Sequence, residues 1–163
     1  MEPLSFATSP PRMSEISDTQ TRIRVFIYTH IAEVGAPPTA ERIAAEISMS
    51  VDDARASLEA LAVNRQVILD PTSREIWMAG PFSAVPTRFR VHGEKASYWA
   101  NCAWDMFGIP AALGQSARID ATCADCDAPM RLEVDGDTGP STNEGLIHIL
   151  LPANRWYADI GFT

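Results

Sequence analysis

Tyr98-Trp99-Ala100-Asn101-Cys102-Ala103-Trp104-Asp105-Met106-Phe107-Gly108-Ile109-Pro110 is the stretch on which the reading of this chain turns. Read as a helix over 95–107, its spacing of three puts the Cys102 thiol and the Asp105 carboxyl on one face. A soft sulfur ligand and a proton carrier are then neighbours on a largely apolar surface, which suits chemistry at a thiophilic metal centre. The structural alternative for Cys102 is a small buried hydrophobe, the commoner fate of a lone helical cysteine. For Asp105 it is a solvent-facing residue, although a carboxylate among Trp104, Met106 and Phe107 is costly to bury without a partner.

Upstream of this stretch the pattern is helical. Residues 1–14 hold Pro3, Pro10 and Pro11 among Ser and Thr and read as a loose leader. Ile23, Phe26, Ile27, Ile31 and Val34 recur on one face, with Asp18 or Thr19 as cap and Gly35 as stop. A second helix is predicted over Pro38 to Ile47 with Thr39 as cap, and a third over Val51 to Ala62 with Ala54, Leu58 and Leu61 inward. Gln66 to Leu69 and Glu75 to Met78 read as strands around a turn at Asp70 to Ser73. Three helices and a hairpin in that order predict a winged-helix-like domain over 15–80, ending at Gly80-Pro81.

Downstream, 81–163 reads as a second domain. Thr87 to Val91, Ala117 to Ala121 and Met130 to Val134 alternate as strands, the last two flanking a turn at Cys123 to Pro129. Asp135 to Asn143 is a loop, and Gly145 to Leu151 and Trp156 to Thr163 are further strand candidates. The predicted class is α+β: a winged-helix-like domain, then a mixed or antiparallel sheet with a helix carrying Cys-x-x-Asp.

Composition narrows the function classes. A net charge of −8 argues against wide contact with phosphate backbones. In the winged-helix-like region, Arg42, Arg55 and Arg65 face Glu41, Glu46, Asp52, Asp53 and Glu59, a net −2 over 38–65. Asp52 and Asp53 start the helix that would read DNA, so no nucleic-acid partner is expected. No apolar run reaches the roughly 18 residues of a membrane span. Without a signal peptide, three cysteines read as free thiols in the cytoplasm.

The run Tyr98 to Arg118 resembles the catalytic segment of organomercurial (alkylmercury) lyases: Trp/Tyr, Cys-x-x-Asp, an apolar Pro-Ala-Leu at 110–113, then a small-residue turn and a strand. Cys123 to Leu132, followed by Leu146 to Pro152, is a second match, and the likeness reaches upstream to the small helical domain. The resemblance implies protonolysis, in which R–Hg⁺ and a proton give a hydrocarbon and Hg(II). It assigns Cys102 to binding mercury and Asp105 to delivering the proton. No organic cofactor is implied; small thiols would bring substrate and remove Hg(II). The family's usual scheme adds a second cysteine on a strand just beyond the position of Thr163. The 163 residues hold none there, so a shortened chain with poor turnover is expected. Two other readings are a non-catalytic soft-metal or thiol-binding relative and a metal-sensing winged-helix transcription factor.

Cys123-Ala124-Asp125-Cys126 reads as half a zinc site, a redox pair, a soft-metal clip or two unremarkable thiols. His30, His92 and His148 are not spaced to complete a zinc shell. Trp77, Phe82, Phe89, Trp99, Trp104 and Phe107 read as core, with Trp99 and Trp104 walling the site. His148 reads as a structural strand histidine.

Overall fold

Ser17, Thr39 and Ser50 start three helices, α1 (Asp18–Val34), α2 (Ala40–Ile47) and α3 (Val51–Val63). The computed structural model describes residues 17–142, 145–149, 151–158 and 160–161; the leader expected over 1–14 lies outside these. The cap of α1 is Ser17 rather than Asp18 or Thr19. Its Oγ accepts from the Gln20 N–H at 3.2 Å, and Gln20 Oε1 accepts from the Ser17 N–H at 2.9 Å. This reciprocal box satisfies two otherwise orphaned donors and leaves Asp18 in the first turn, at the positive end of the helix. Gly35 closes α1 at φ 84°, a left-handed conformation that suits glycine.

The three helices share one core. Ile23, Ile27 and Ile31 are buried with Ile43, Ala54, Leu58 and Leu61. Val34, expected on the same stripe, is exposed in the last turn of α1.

Among the described residues eight strands follow: β1 (Ile68–Leu69), β2 (Ile76–Ala79), β3 (Phe82–Ser83), β4 (Phe89–His92), β5 (Ser97–Ala100), β6 (Ala117–Thr122), β7 (Pro129–Asp135) and β8 (Gly139–Pro140). They form one sheet in the order β1-β2-β3-β5-β4-β6-β7-β8, with every pair antiparallel. The β1–β2 turn is held by Asp70, whose Oδ1 accepts from Thr72 and Ser73 N–H groups at 3.0 and 2.6 Å. A fourth helix, α4 (Asp105–Leu113), leads into β6.

Three sequence expectations are corrected here. Residues 95–107 are not one helix: Ser97–Ala100 is a strand, 101–104 a turn, and only Asp105 onward is helical. Pairing with both β3 and β4 outweighs the helical spacing, and α4 runs through Pro110 to Leu113. The strand candidates at 145–151 and 156–163 are not strands in their described parts. Residues 145–149 are irregular, and Ala153–Ala158 is a 3₁₀ helix.

Strand β5 joins the two halves. Tyr98 pairs with Val91, which pairs with Ile119, a fully buried row across three strands. The Tyr98 hydroxyl donates to the Ala32 carbonyl at 2.6 Å. Ala32 lies in the last turn of α1, where carbonyls have no partner within the helix. Gly35 lies just as close, since a Cβ there would stand 2.6 Å from the Ser97 oxygen. Helix α1 is therefore docked on β5 by side-chain and backbone contacts together. Tyr98→Phe keeps the ring but leaves that carbonyl unpaired, and should lower stability by about 1–2 kcal/mol. Urea denaturation should show a lower midpoint with an unchanged slope. An unaltered midpoint would mean that the hydroxyl contributes nothing to docking.

Candidate functional site

The chain leaves β5 at Ala100 and reaches α4 through Asn101–Trp104. The Asn101 N–H donates to the Pro81 carbonyl at 3.2 Å, and the Met106 N–H to the Cys102 carbonyl at 3.1 Å. These bonds fold the turn so that the Cys102 thiol donates to Asp105 Oδ2 at 3.4 Å. Cys102 and Asp105 are thus neighbours, as the spacing of three predicted, but across a strand–turn–helix junction. Both are half-buried.

Burial sets the protonation of the pair. Asp105 opens α4, where free N–H groups favour a carboxylate. Desolvation nevertheless holds its carboxyl above the usual range, against hydrogen bonds from Cys102 and Asn101 that pull it down. Desolvation also pushes the Cys102 thiol up, and the Asp105 charge adds to this. Protonated thiol and hydrogen-bonded carboxyl titrate as a coupled pair.

A cavity of about 460 Å³ opens over this pair. Arg24, Tyr28 and Arg65 wall it from the N-terminal half, and Trp104, His148 and Tyr157 from the C-terminal half. The Arg65 guanidinium stacks 4.1 Å from the centroid of Tyr157, and the Tyr28 hydroxyl donates to the Gly80 carbonyl at 3.1 Å. Asn101 also faces the cavity; its buried Oδ1 has no hydrogen-bond partner among the described residues.

Other expectations divide. Trp104 does wall the cavity, although 65% exposed. Trp99 does not: it alternates with Tyr98 to the opposite face, where Arg90 covers it at 4.4 Å. His148 is exposed at the cavity on an irregular segment, not seated in a strand. Cys123 and Cys126 lie away from the cavity, in the β6–β7 turn. Asn101, Arg24, Tyr28 and Arg65 were missed as site residues. Only the i,i+4 pairing of Arg24 with Tyr28 beside the apolar stripe of α1 hinted at a second functional face.

Among the described residues no group of three or more His, Cys, Asp or Glu is placed to hold a metal ion. Ser97, His92 and Asp120 form a hydrogen-bonded chain at 3.0 and 2.8 Å. Asp120 is also engaged by Arg118 and Arg131. No described cavity is lined by this chain, and it serves as a cross-strand network.

The thiols differ in a way that alkylation reads directly. Hydrogen bonds from the Cys126 and Asp125 N–H groups hold the Cys123 thiol below its usual range, whereas burial holds Cys102 above it. With iodoacetamide near neutral pH, Cys123 should react first and Cys102 slowly. Asp105→Asn removes the neighbouring charge and should speed Cys102 labelling severalfold. Peptide mass spectrometry measures both; preferential labelling of Cys102, or no change in Asp105→Asn, would contradict this account.

Residues 82–160 match the family model described as MerB, alkylmercury lyase. Over 103 residues the chain is 31% identical to the alkylmercury lyase of Staphylococcus epidermidis (strain ATCC 12228 / FDA PCI 1200). It is 28% identical over the same length to those of Bacillus cereus and Clostridium butyricum. Each match covers 63% of this chain and 45% of the relative, so the chain spans less than half the length of these curated relatives. The fold is similar to that in the crystal structure of the mercury-bound form of MerB2. The TM-score is 0.60 at 21% identity, over 75% of this chain and 58% of that one. Residues 82–160, which carry the strand, the turn and the helix of the candidate site, are the part of the chain that the alkylmercury lyase family model matches.

Proposed function

We propose that this protein carries out protonolysis of a carbon–mercury bond, with Cys102 binding the mercury and Asp105 delivering the proton. The observation that carries this reading is the 3.4 Å contact from thiol to carboxylate on the wall of a cavity. An organomercurial enters as its complex with a small thiol. The Cys102 sulfur displaces that thiol, because a soft metal prefers a thiolate and its binding drives deprotonation. The thiol proton goes to the departing small thiolate, and Asp105 keeps its own. Asp105, already inclined to hold a proton by burial, then gives it to the carbon bound to mercury. The carbon–mercury bond breaks, the hydrocarbon leaves, and Hg(II) stays on Cys102 until small thiols remove it. No organic cofactor takes part.

Asn101 serves as a positioning residue, its amide donating to Asp105. Tyr28, Trp104 and Tyr157 offer apolar surface for the organic group. We assign residues 15–80 to a winged-helix-like domain that supplies one wall of the cavity, and 81–163 to the catalytic domain. The ion pairs support a structural rather than a DNA-reading role for the first. Arg42, Arg55 and Arg74 are engaged by Glu46, Glu41 and Glu59. No helix among the described residues is long and apolar enough to cross a membrane. Three free thiols suit a reducing compartment, and we infer the cytoplasm.

Headspace detection of benzene from phenylmercury with excess thiol tests the reading. Cys102→Ser and Asp105→Asn should each cut release by at least about 10²-fold. In single turnovers the rate should fall as pH rises through the raised pKa of Asp105, because the proton donor is then lost. Undiminished release in both variants would refute the assignment. For the N-terminal domain, fluorescence anisotropy with a pool of duplexes at low salt should show no complex; binding with a steep salt slope would favour a DNA-binding role.

A further inference from the structure

The Cys123-Ala124-Asp125-Cys126 turn lies outside the cavity, and the chemistry above leaves it unused. It joins β6 to β7 and is closed by two backbone bonds, Cys123 N–H to Ala128 O at 2.9 Å and Asp127 N–H to Cys123 O at 3.1 Å. Asp127 takes the left-handed conformation at φ 55° that the tight turn requires. Both thiols are free, Cys123 half-buried and Cys126 exposed. The tight turn keeps the two thiols three residues apart on one short loop.

The ligand set limits what this turn can hold. Among the described residues no third metal-binding side chain joins the two thiols. The Asp127 carboxylate is engaged by Arg88 at 2.7 Å. Two thiols cannot close the four-ligand shell that zinc takes in structural sites. They suit a soft ion content with two thiolates.

The sheet places this turn at the same end as the candidate site. Trp99 pairs with Arg90, and Arg90 with Asp120. Strands β5 and β6 both run antiparallel to β4, so they leave the sheet at the same end. Cys102 lies three residues beyond Trp99, and Cys123 three beyond Asp120. The two exits are two strand spacings apart, about 10 Å. The segment before β4 touches both: the Thr87 hydroxyl donates to the Ala100 carbonyl at 2.7 Å, and Arg88 reaches Asp127.

We propose that Cys123 and Cys126 form a second thiol site, which takes Hg(II) as a two-thiolate complex when the ion leaves Cys102. The source of the ion rests on the function proposed above; the site itself does not. In the transfer, the two sulfur–mercury bonds to Cys102 and a small thiol break, and two form to Cys123 and Cys126. The two protons these thiols lose go to the departing thiolates, and no electron is transferred. An organomercury cation, satisfied by one thiolate, gains nothing from the pair, so the site discriminates product from substrate.

The test uses the full chain with Cys102→Ser, which removes the proposed reaction site, and mercuric chloride in excess glutathione. Native mass spectrometry should show one Hg(II) per chain, with both remaining cysteines protected from alkylation. Adding Cys126→Ser should weaken retention against glutathione by about 10²-fold or more, the loss expected when an intramolecular second ligand is removed. Because Cys126 is exposed, the urea midpoint should not move, which separates lost binding from lost folding. Zn(II) under the same conditions should not be retained. Equal release of Hg(II) with and without Cys126, or stoichiometric retention of Zn(II), would overturn the proposal. Because no organomercurial is present, these results do not depend on whether Cys102 and Asp105 cleave carbon–mercury bonds.

Discussion

Strand β5 is hydrogen-bonded on both sides, to β3 and to β4, and that double pairing positions the candidate site. A strand paired on both sides has its faces and its exit direction settled. Tyr98 must point to the helical side, where its hydroxyl meets the end of α1. Trp99 must point away. The backbone must leave at Ala100 toward Pro81. Gly80 and Pro81 then offer consecutive carbonyls to opposite partners, Tyr28 on α1 and Asn101 at the site. One dipeptide thus ties the helical wall of the cavity to the turn that carries Cys102.

That geometry decides the electrostatics. A helix N-terminus offers an exposed carboxylate about 0.3–1 kcal/mol, and Asp105 sits at one. Its carboxyl is nevertheless raised, so desolvation under the cavity walls is the larger effect. A fully exposed Asp105 would be a helix-capping anion with no proton to give. A fully buried one would lose its exchange with the thiol and solvent. Half-burial beside Cys102 couples carboxyl and thiol, since each charge raises the cost of the other.

Much of this was legible in the sequence, and the failures around the candidate site share one cause. The helices announced themselves through Ile23, Ile27, Ile31, Ala54, Leu58 and Leu61, and through Thr39 and Gly35 at their ends. The hairpin at Asp70 was legible because its turn chemistry is local. The nearness of Cys102 and Asp105 was also legible, because three residues entering a helix fold back about as closely as three within one. What was misread depends on partners far along the chain. The apolar run Tyr98–Ala100 fits a helix face or a central strand equally well; only pairing with Phe82–Ser83 and Arg90–His92 decides. The two-residue strands β3 and β8 are too short to show a period. Arg24, Tyr28 and Arg65 become site residues only because α1 docks on β5, which no local pattern announces.

The same contrast in burial separates the cysteines. All three are chemically identical thiols in the unfolded chain, and the fold sends them different ways. Cys102 enters an apolar junction next to a carboxyl, where its anion is disfavoured until a metal replaces the proton. It therefore discriminates by what it binds rather than by how readily it ionises. Cys123 enters a turn whose N–H groups lower its pKa, so its anion forms more readily there than at Cys102. A protonated thiol beside an acid suits a step that must end with a proton on carbon. A thiol held below its usual range beside a second thiol suits holding an ion. Both environments follow from where β5 and β6 end, at the same end of one sheet.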